Sequence, residues 1–205
     1  MESEIIPIMD TKTPASLPLP DETLYWELKA RRVYWIDFEI TDCYDLLVLA
    51  KEIINLNQKE INVANPEPIT IYIHSYGGDL DQTQFFCDLI ESSRIPVITV
   101  AAGVAMSAGL LIFLSGKKRY AFKHSKILIH QGSASFSGTA EEIKAAQQSY
   151  EKQLETMETY ILAHTLIDKK LFDKKKNKDW YVTGDELIEL GIANKIIENF
   201  DDIKL

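Results

Sequence analysis

The chain has 205 residues, 46% of them hydrophobic and 26% charged, which is the make-up of a globular protein with enough apolar material for one sizeable core. A net charge of −9 and the lack of a dense Lys/Arg cluster argue against nucleic acid as partner, and the short run "DKKKNK" at 173 to 178 reads as a solvated loop. No stretch is long and apolar enough for a membrane span, "MESEIIPIMD" has acids where a signal peptide needs bases, and Cys43 and Cys87 have neither disulfide-framework nor metal spacing, so a reducing, cytoplasmic setting without a metal is expected.

Residues 1 to 21, with three prolines after position 13 and no hydrophobic period, read as a flexible arm, leaving 22 to 205 as a single domain. A helix around 22 to 30 precedes a strand "RVYWIDF" at 32 to 38, and a second helix at 44 to 57 carries Leu46, Leu49, Ile53 and Ile54 on one face. The strand "ITIYIH" at 69 to 74 ends in "SYGG" and feeds the helix "LDQTQFFCDLIESS"; the strand "PVITVAA" at 96 to 102 runs into "GVAMSAG" and the apolar helix "LLIFLS". Strands that each feed a helix imply parallel pairing with right-handed crossovers, so both Gly-rich turns should open on the edge where such sheets bind ligands.

Two short strands, "KRYAF" at 118 to 122 and "KILIH" at 126 to 130, come next, followed by the Gly/Ser segment "QGSASFSGT" and a long helix from about Ala140 to His164. That helix has apolar residues at Ile143, Ala146, Tyr150, Leu154, Met157 and Ile161. A last unit has Thr183 and Glu186 at capping-box spacing, a helix ended by Gly191 and a strand "ANKII". The fold class is therefore α/β with a largely parallel sheet.

A serine such as Ser107, placed at a strand-to-helix turn among small residues, acts as a nucleophile only if an imidazole takes its proton and a third group orients that imidazole. Of the four histidines, His164 lies late on the long helix and His124 in a turn. His74 immediately precedes "SYGG", and His130 ends an apolar strand, where a satisfied core histidine is the plainer reading.

Together, "IYIHSYGGDL", "GVAMSAG", "ILIHQG" and "DWYVTGDELIELGIANKII" resemble the motifs of the Clp protease proteolytic subunits, self-compartmentalising serine peptidases, with the likeness running from about Leu28 to Ile197. The resemblance implies the fold shared by Clp subunits and crotonases, with a protruding handle at about 131 to 165 made of a Gly/Ser strand at 132 to 138 and the long helix. It implies Ser107 as nucleophile, His130 as general base and Asp179 as the orienting carboxylate, with the N–H groups of Gly78 and Ala108 as oxyanion donors and Gly77 and Gln131 touching substrate. It also implies an endopeptidase of peptides or unfolded polypeptides, built as a homo-oligomer of two stacked heptameric rings. The chain itself would need no cofactor, since ATP would be used by a partner AAA+ unfoldase.

Two other readings share parts of this pattern. A crotonase-type acyl-CoA enzyme also holds an oxyanion on paired backbone donors but would not need Ser107 and His130 paired, and a catalytically inactive scaffold subunit would keep the fold alone. The sequence departs from the family at Tyr76 and Gly132, where prolines are usual, and at Trp180, where an arginine often joins rings. Trp180 is therefore expected to contribute apolar packing between rings, and displacement of the long helix is expected to move Asp179, read as lying in the loop that follows it.

Overall fold

The computed structural model describes residues 20–41 and 44–203. The arm assigned to residues 1 to 21 lies outside these except for its last two, which begin the first helix, and Cys43 lies outside them too. In chain order the elements are α1 (Pro20–Ala30), β1 (Val33–Ile36), α2 (Tyr44–Lys59), β2 (Ile69–Ser75), α3 (Leu80–Ser92), β3 (Val97–Met106) and α4 (Ala108–Ser115). Then follow β4 (Lys118–Phe122), β5 (Lys126–Ile129), α5 (Ala140–His164), α6 (Lys169–Lys175), β6 (Trp180–Thr183), α7 (Glu186–Glu189) and β7 (Lys195–Ile197).

The sheet runs β1-β2-β3-β4-β7, all parallel. Its central strand forks. Residues Ile98–Ala101 of β3 pair with β4, whereas Val104–Met106 pair with β5, and β6 adds antiparallel to β5. At the fork the buried Ser125 hydroxyl donates to the Ala101 carbonyl at 2.6 Å and accepts from the Gly103 N–H at 3.2 Å, fixing where β3 leaves one neighbour for the next. This continuation carries β3 up to Ser107.

One face of the sheet is covered by helices. Its side chains Ile69, Ile71, Ile73, Val97 and Ala101 join Leu46, Leu49 and Ile53 of α2, Phe86 and Ile90 of α3, and Ala108 and Leu110 to Leu114 of α4 in one core. A helix apolar on every side is stable only when surrounded, and every residue of α4 is buried. On α2 the buried stripe is Leu46, Leu49, Ala50 and Ile53; Ile54, expected on that face, is 40% exposed because it falls one step past the stripe.

Three other expectations change. The "DKKKNK" run is not all loop: Asp173, Lys174 and Lys175 form the last turn of α6, which starts on an Asp168 cap, buries Phe172 and places Lys174 and Lys175 at the negative end of the helix dipole. Thr183 and Glu186 form no capping box, since Thr183 ends β6 opposite Lys126 and Asp185 stands at the start of α7. Capping boxes form instead at Thr139 and Glu142, at the start of α5, and at Asn199 and Asp202. No strand forms at 132 to 138, because β5 already has β3 and β6 as neighbours and the chain leaves the sheet after Ile129.

Candidate active site

Three adjacent strand ends converge through the ladder register. Met106 of β3 stands opposite Leu128 of β5, and the next N–H, that of Ser107, donates to the Leu128 carbonyl at 3.0 Å. Ile129 of β5 stands opposite Trp180 of β6, so one step further along that antiparallel ladder His130 comes opposite Asp179. His130 Nδ1 lies 3.6 Å from Asp179 Oδ1, a close approach just beyond hydrogen-bond distance. The Asp179 side chain is 60% exposed, so solvent shares its charge.

The other ring nitrogen, His130 Nε2, is buried with no hydrogen-bond partner among the described residues. A buried polar atom left unpaired is costly unless a reacting group or ligand completes it. Ser107 and His130 line one cleft of about 470 Å³, walled by Tyr76, Gly78 and Leu80 on one side and Tyr150, Gln153 and Met157 of α5 on the other. A larger hollow of about 610 Å³ lies between α1, β1 and α2 and contains none of these groups, so the chemistry selects the smaller one.

Ser107 has φ 53° and ψ −121°, a left-handed conformation that a residue with a Cβ seldom takes. It is held there from both ends, its N–H by Leu128 and its carbonyl by the N–H of Leu110 at 3.0 Å. The turn at Gly77 and Gly78 fits closely around it. Their φ values are +109° and +148°; a Cβ on Gly77 would stand 2.8 Å from Ser107 Cβ and 3.1 Å from Ala108 N, and one on Gly78 would stand 1.7 Å from the Ile40 carbonyl oxygen.

Hydrogen bonding sorts the donors of that turn. The Gly77 N–H donates to Ser75 Oγ at 3.2 Å, the Ile40 N–H to the Gly77 carbonyl at 2.8 Å, and the Asp79 N–H to the Ile40 carbonyl. The Gly78 N–H takes part in none of these, and Gly78 lines the cleft. Ala108 is the first residue of α4, so its N–H has no acceptor within the helix and sits at the positive end of the dipole.

Of the residues expected at the site, Ser107, His130, Gly78 and Gln131 line the cleft, and Asp179 stands behind His130. Gly77 is buried against Ser107 and Ala108 rather than open to the cleft. The remaining histidines are elsewhere: His74 contacts the Ala102 carbonyl at 2.6 Å, His164 Nε2 lies 3.1 Å from Glu91, and His124 is exposed in a turn. Trp180 is 5% exposed and belongs to the chain's own core, so it cannot supply contact between rings as expected; Tyr181, 51% exposed, is the outward aromatic of β6. Period-two alternation along β6 decides this.

Asp179 follows α6 rather than the long helix directly. The two helices are joined by Glu158, whose carboxylate meets Lys169 Nζ at 2.8 Å and Lys176 Nζ at 3.4 Å. Tyr150 had stood out only as one of the apolar positions of α5, yet its hydroxyl donates to the Gln131 carbonyl at 2.8 Å and its side chain lines the cleft. The tyrosine hydroxyl at an otherwise apolar helical position was the signal for it.

The sequence matches the family described as Clp protease over residues 24–200. The ATP-dependent Clp protease proteolytic subunit 2 of Treponema pallidum (strain Nichols) is 30% identical over 139 residues, which cover 67% of this chain and 70% of that protein. The protein of the same name from Treponema denticola is 34% identical over 139 residues, with the same two shares.

Proposed function

The chain belongs to the Clp protease family, and on that premise we propose that it is a serine endopeptidase cleaving peptides or unfolded polypeptides through Ser107, His130 and Asp179. The observation that carries this reading is the register of β3, β5 and β6, which brings the serine and histidine to one cleft with a carboxylate behind the histidine. An acyl-CoA enzyme would use the paired backbone donors but would have no need of the histidine and carboxylate.

In the proposed reaction Ser107 Oγ attacks the scissile carbonyl while His130 Nε2 takes the hydroxyl proton. The negative charge that develops on the carbonyl oxygen is met by the N–H groups of Gly78 and Ala108, fixed before the reaction and aided by the α4 dipole. His130 returns the proton to the leaving amine as the acyl bond to Ser107 remains. Water, deprotonated by the same imidazole, then releases the acid and restores the serine. Asp179 stabilises the imidazolium between these steps, which requires the 3.6 Å approach to close by several tenths of an ångström.

That closure links activity to assembly. We infer an oligomer of stacked rings, heptameric as the family resemblance implies, with an ATP-dependent unfoldase delivering substrate and hydrolysing the nucleotide. Most of α5 is exposed on the single chain, with only Met157 and Ile161 buried and Ile143 left open to solvent, so the helix offers another copy a surface to cover. Holding α5 in place holds α6 through Glu158, and α6 leads into Asp179.

Covalent labelling tests the reading. A fluorophosphonate should add once to the assembled protein, seen by intact mass, and not to Ser107→Ala. Labelling that survives the substitution, or an assembled protein that takes no label, would overturn it.

A further inference from the structure

We propose that Tyr150, on α5, is a positioning residue for His130: its hydroxyl holds the main chain one residue past the histidine and ties the general base to the long helix. The proposal rests on the serine-peptidase reading. The ladder that supports β5 ends at the pair Ile129 and Trp180, so His130 is the first residue beyond regular sheet pairing. Immediately after it, the Gln131 carbonyl accepts from Tyr150 Oη at 2.8 Å.

The local backbone is shaped for that bond. Gly132 has φ +74°, and a Cβ there would stand 3.3 Å from Tyr150 Oη. A proline, with φ held near about −65°, could not make this left-handed turn. Phe136 then packs edge-on against the Tyr150 ring, with centroids 6.0 Å apart and planes at 66°, so the segment is pinned to α5 twice. Partial burial raises the phenol above its ordinary range, which keeps the hydroxyl protonated and able to donate at any working pH.

The consequence is a second arm from the same helix. Glu158 passes the position of α5 to Asp179 by way of α6, and Tyr150 passes it to His130 by way of Gln131. Both members of the pair that must close the 3.6 Å gap are then referred to one element by separate routes, so the position of α5 bears on the gap from both sides.

Tyr150→Phe removes the donor and keeps the ring. In the assembled protein kcat should fall about ten-fold, the scale of one hydrogen bond, and the rate of fluorophosphonate labelling at Ser107 should fall equally. KM should stay within about two-fold. Amide hydrogen exchange over 131–136 should quicken, a readout that does not depend on any activity. Wild-type kcat and labelling in the variant, or a raised KM with unchanged kcat, would overturn the proposal; so would unchanged exchange, whatever the chemistry. An unlabelled, inactive wild type would instead sink the peptidase reading, and the positioning role with it, even if exchange quickened. If Tyr150→Phe does not fold, Phe136→Leu loosens the same segment from the other side and should show the same kcat and exchange changes in smaller degree; their absence would count equally against the role.

Discussion

The two helices that border the cleft are opposites. α4 is eight residues long and buried throughout, whereas α5 has 25 residues of which only Met157 and Ile161 are buried. The first is held by the core of a single chain, and Ser107 at its entrance inherits that rigidity together with the backbone strain it must sustain. The second leaves the domain: at about 1.5 Å per residue it is roughly 37 Å long, and its first four turns rest on little of their own chain. His130 and Asp179 meet at the end of the β5–β6 ladder, and each is tied to α5 through a neighbour, His130 by the Gln131–Tyr150 bond and Asp179 by way of α6 and Glu158. The proposed nucleophile is thus set by folding, while on the proposed mechanism the final alignment of its partners depends on what holds α5.

The largest effect to test on this contrast is in the partners. His130→Ala should lower peptidase activity by about 10³-fold or more, and His74→Ala should leave it nearly unchanged, since His74 lies outside the cleft. Steady-state hydrolysis of a short peptide checks both, and the reverse pattern would place the base elsewhere. Stability comes next. Phe113→Ala, in the middle of α4, should cost about 3–5 kcal/mol in denaturant unfolding, and Ile143→Ala on the outer part of α5 only about 0.5 kcal/mol or less in the separated subunit. Equal costs would break the comparison.

A smaller effect isolates the link between α5 and Asp179. Glu158→Gln removes two partly exposed ion pairs, which should change stability by less than about 1 kcal/mol yet lower kcat by about two- to five-fold. The least effect is at the far end of the chain, where Lys195 and the backbone N–H groups of Glu198 and Asn199 hold Asp202 down to about 2 from 3.8. A carboxyl depressed in the folded state stabilises it fully above the unfolded value and loses that contribution as pH falls through the folded one. Melting temperature between about pH 5 and pH 2 should therefore fall less steeply in Asp202→Asn than in the wild type, while the cleft is untouched.

The same contrast explains what could be read from the sequence. Parallel strands and the buried helix were legible because apolar runs bounded by Gly-rich turns have few other solutions, and the separate turns "SYGG" and "GVAMSAG" had to open on one sheet edge. What failed lay where local pattern competes with tertiary context. The Gly/Ser segment at 132 to 138 looked extended, but a strand needs a free edge, and β5 offers none. The lysine run concealed the end of α6 because its apolar anchor is essentially Phe172. Trp180 looked available for another subunit; the alternation of β6 turns it inward, which only the pairing with β5 reveals. Tyr150 was hidden in a hydrophobic period, since periodicity reports burial and says nothing of a hydroxyl's partner.

The most direct measurement compares fluorophosphonate labelling of the assembled protein with that of separated subunits, with the label located by peptide mapping and the fold followed by far-UV circular dichroism. Rapid labelling at Ser107 is expected in the assembly, and at least about ten-fold slower labelling of separated subunits whose helical signal is unchanged. Separated subunits that label as fast as the assembly, or a label on any residue other than Ser107, would contradict that expectation.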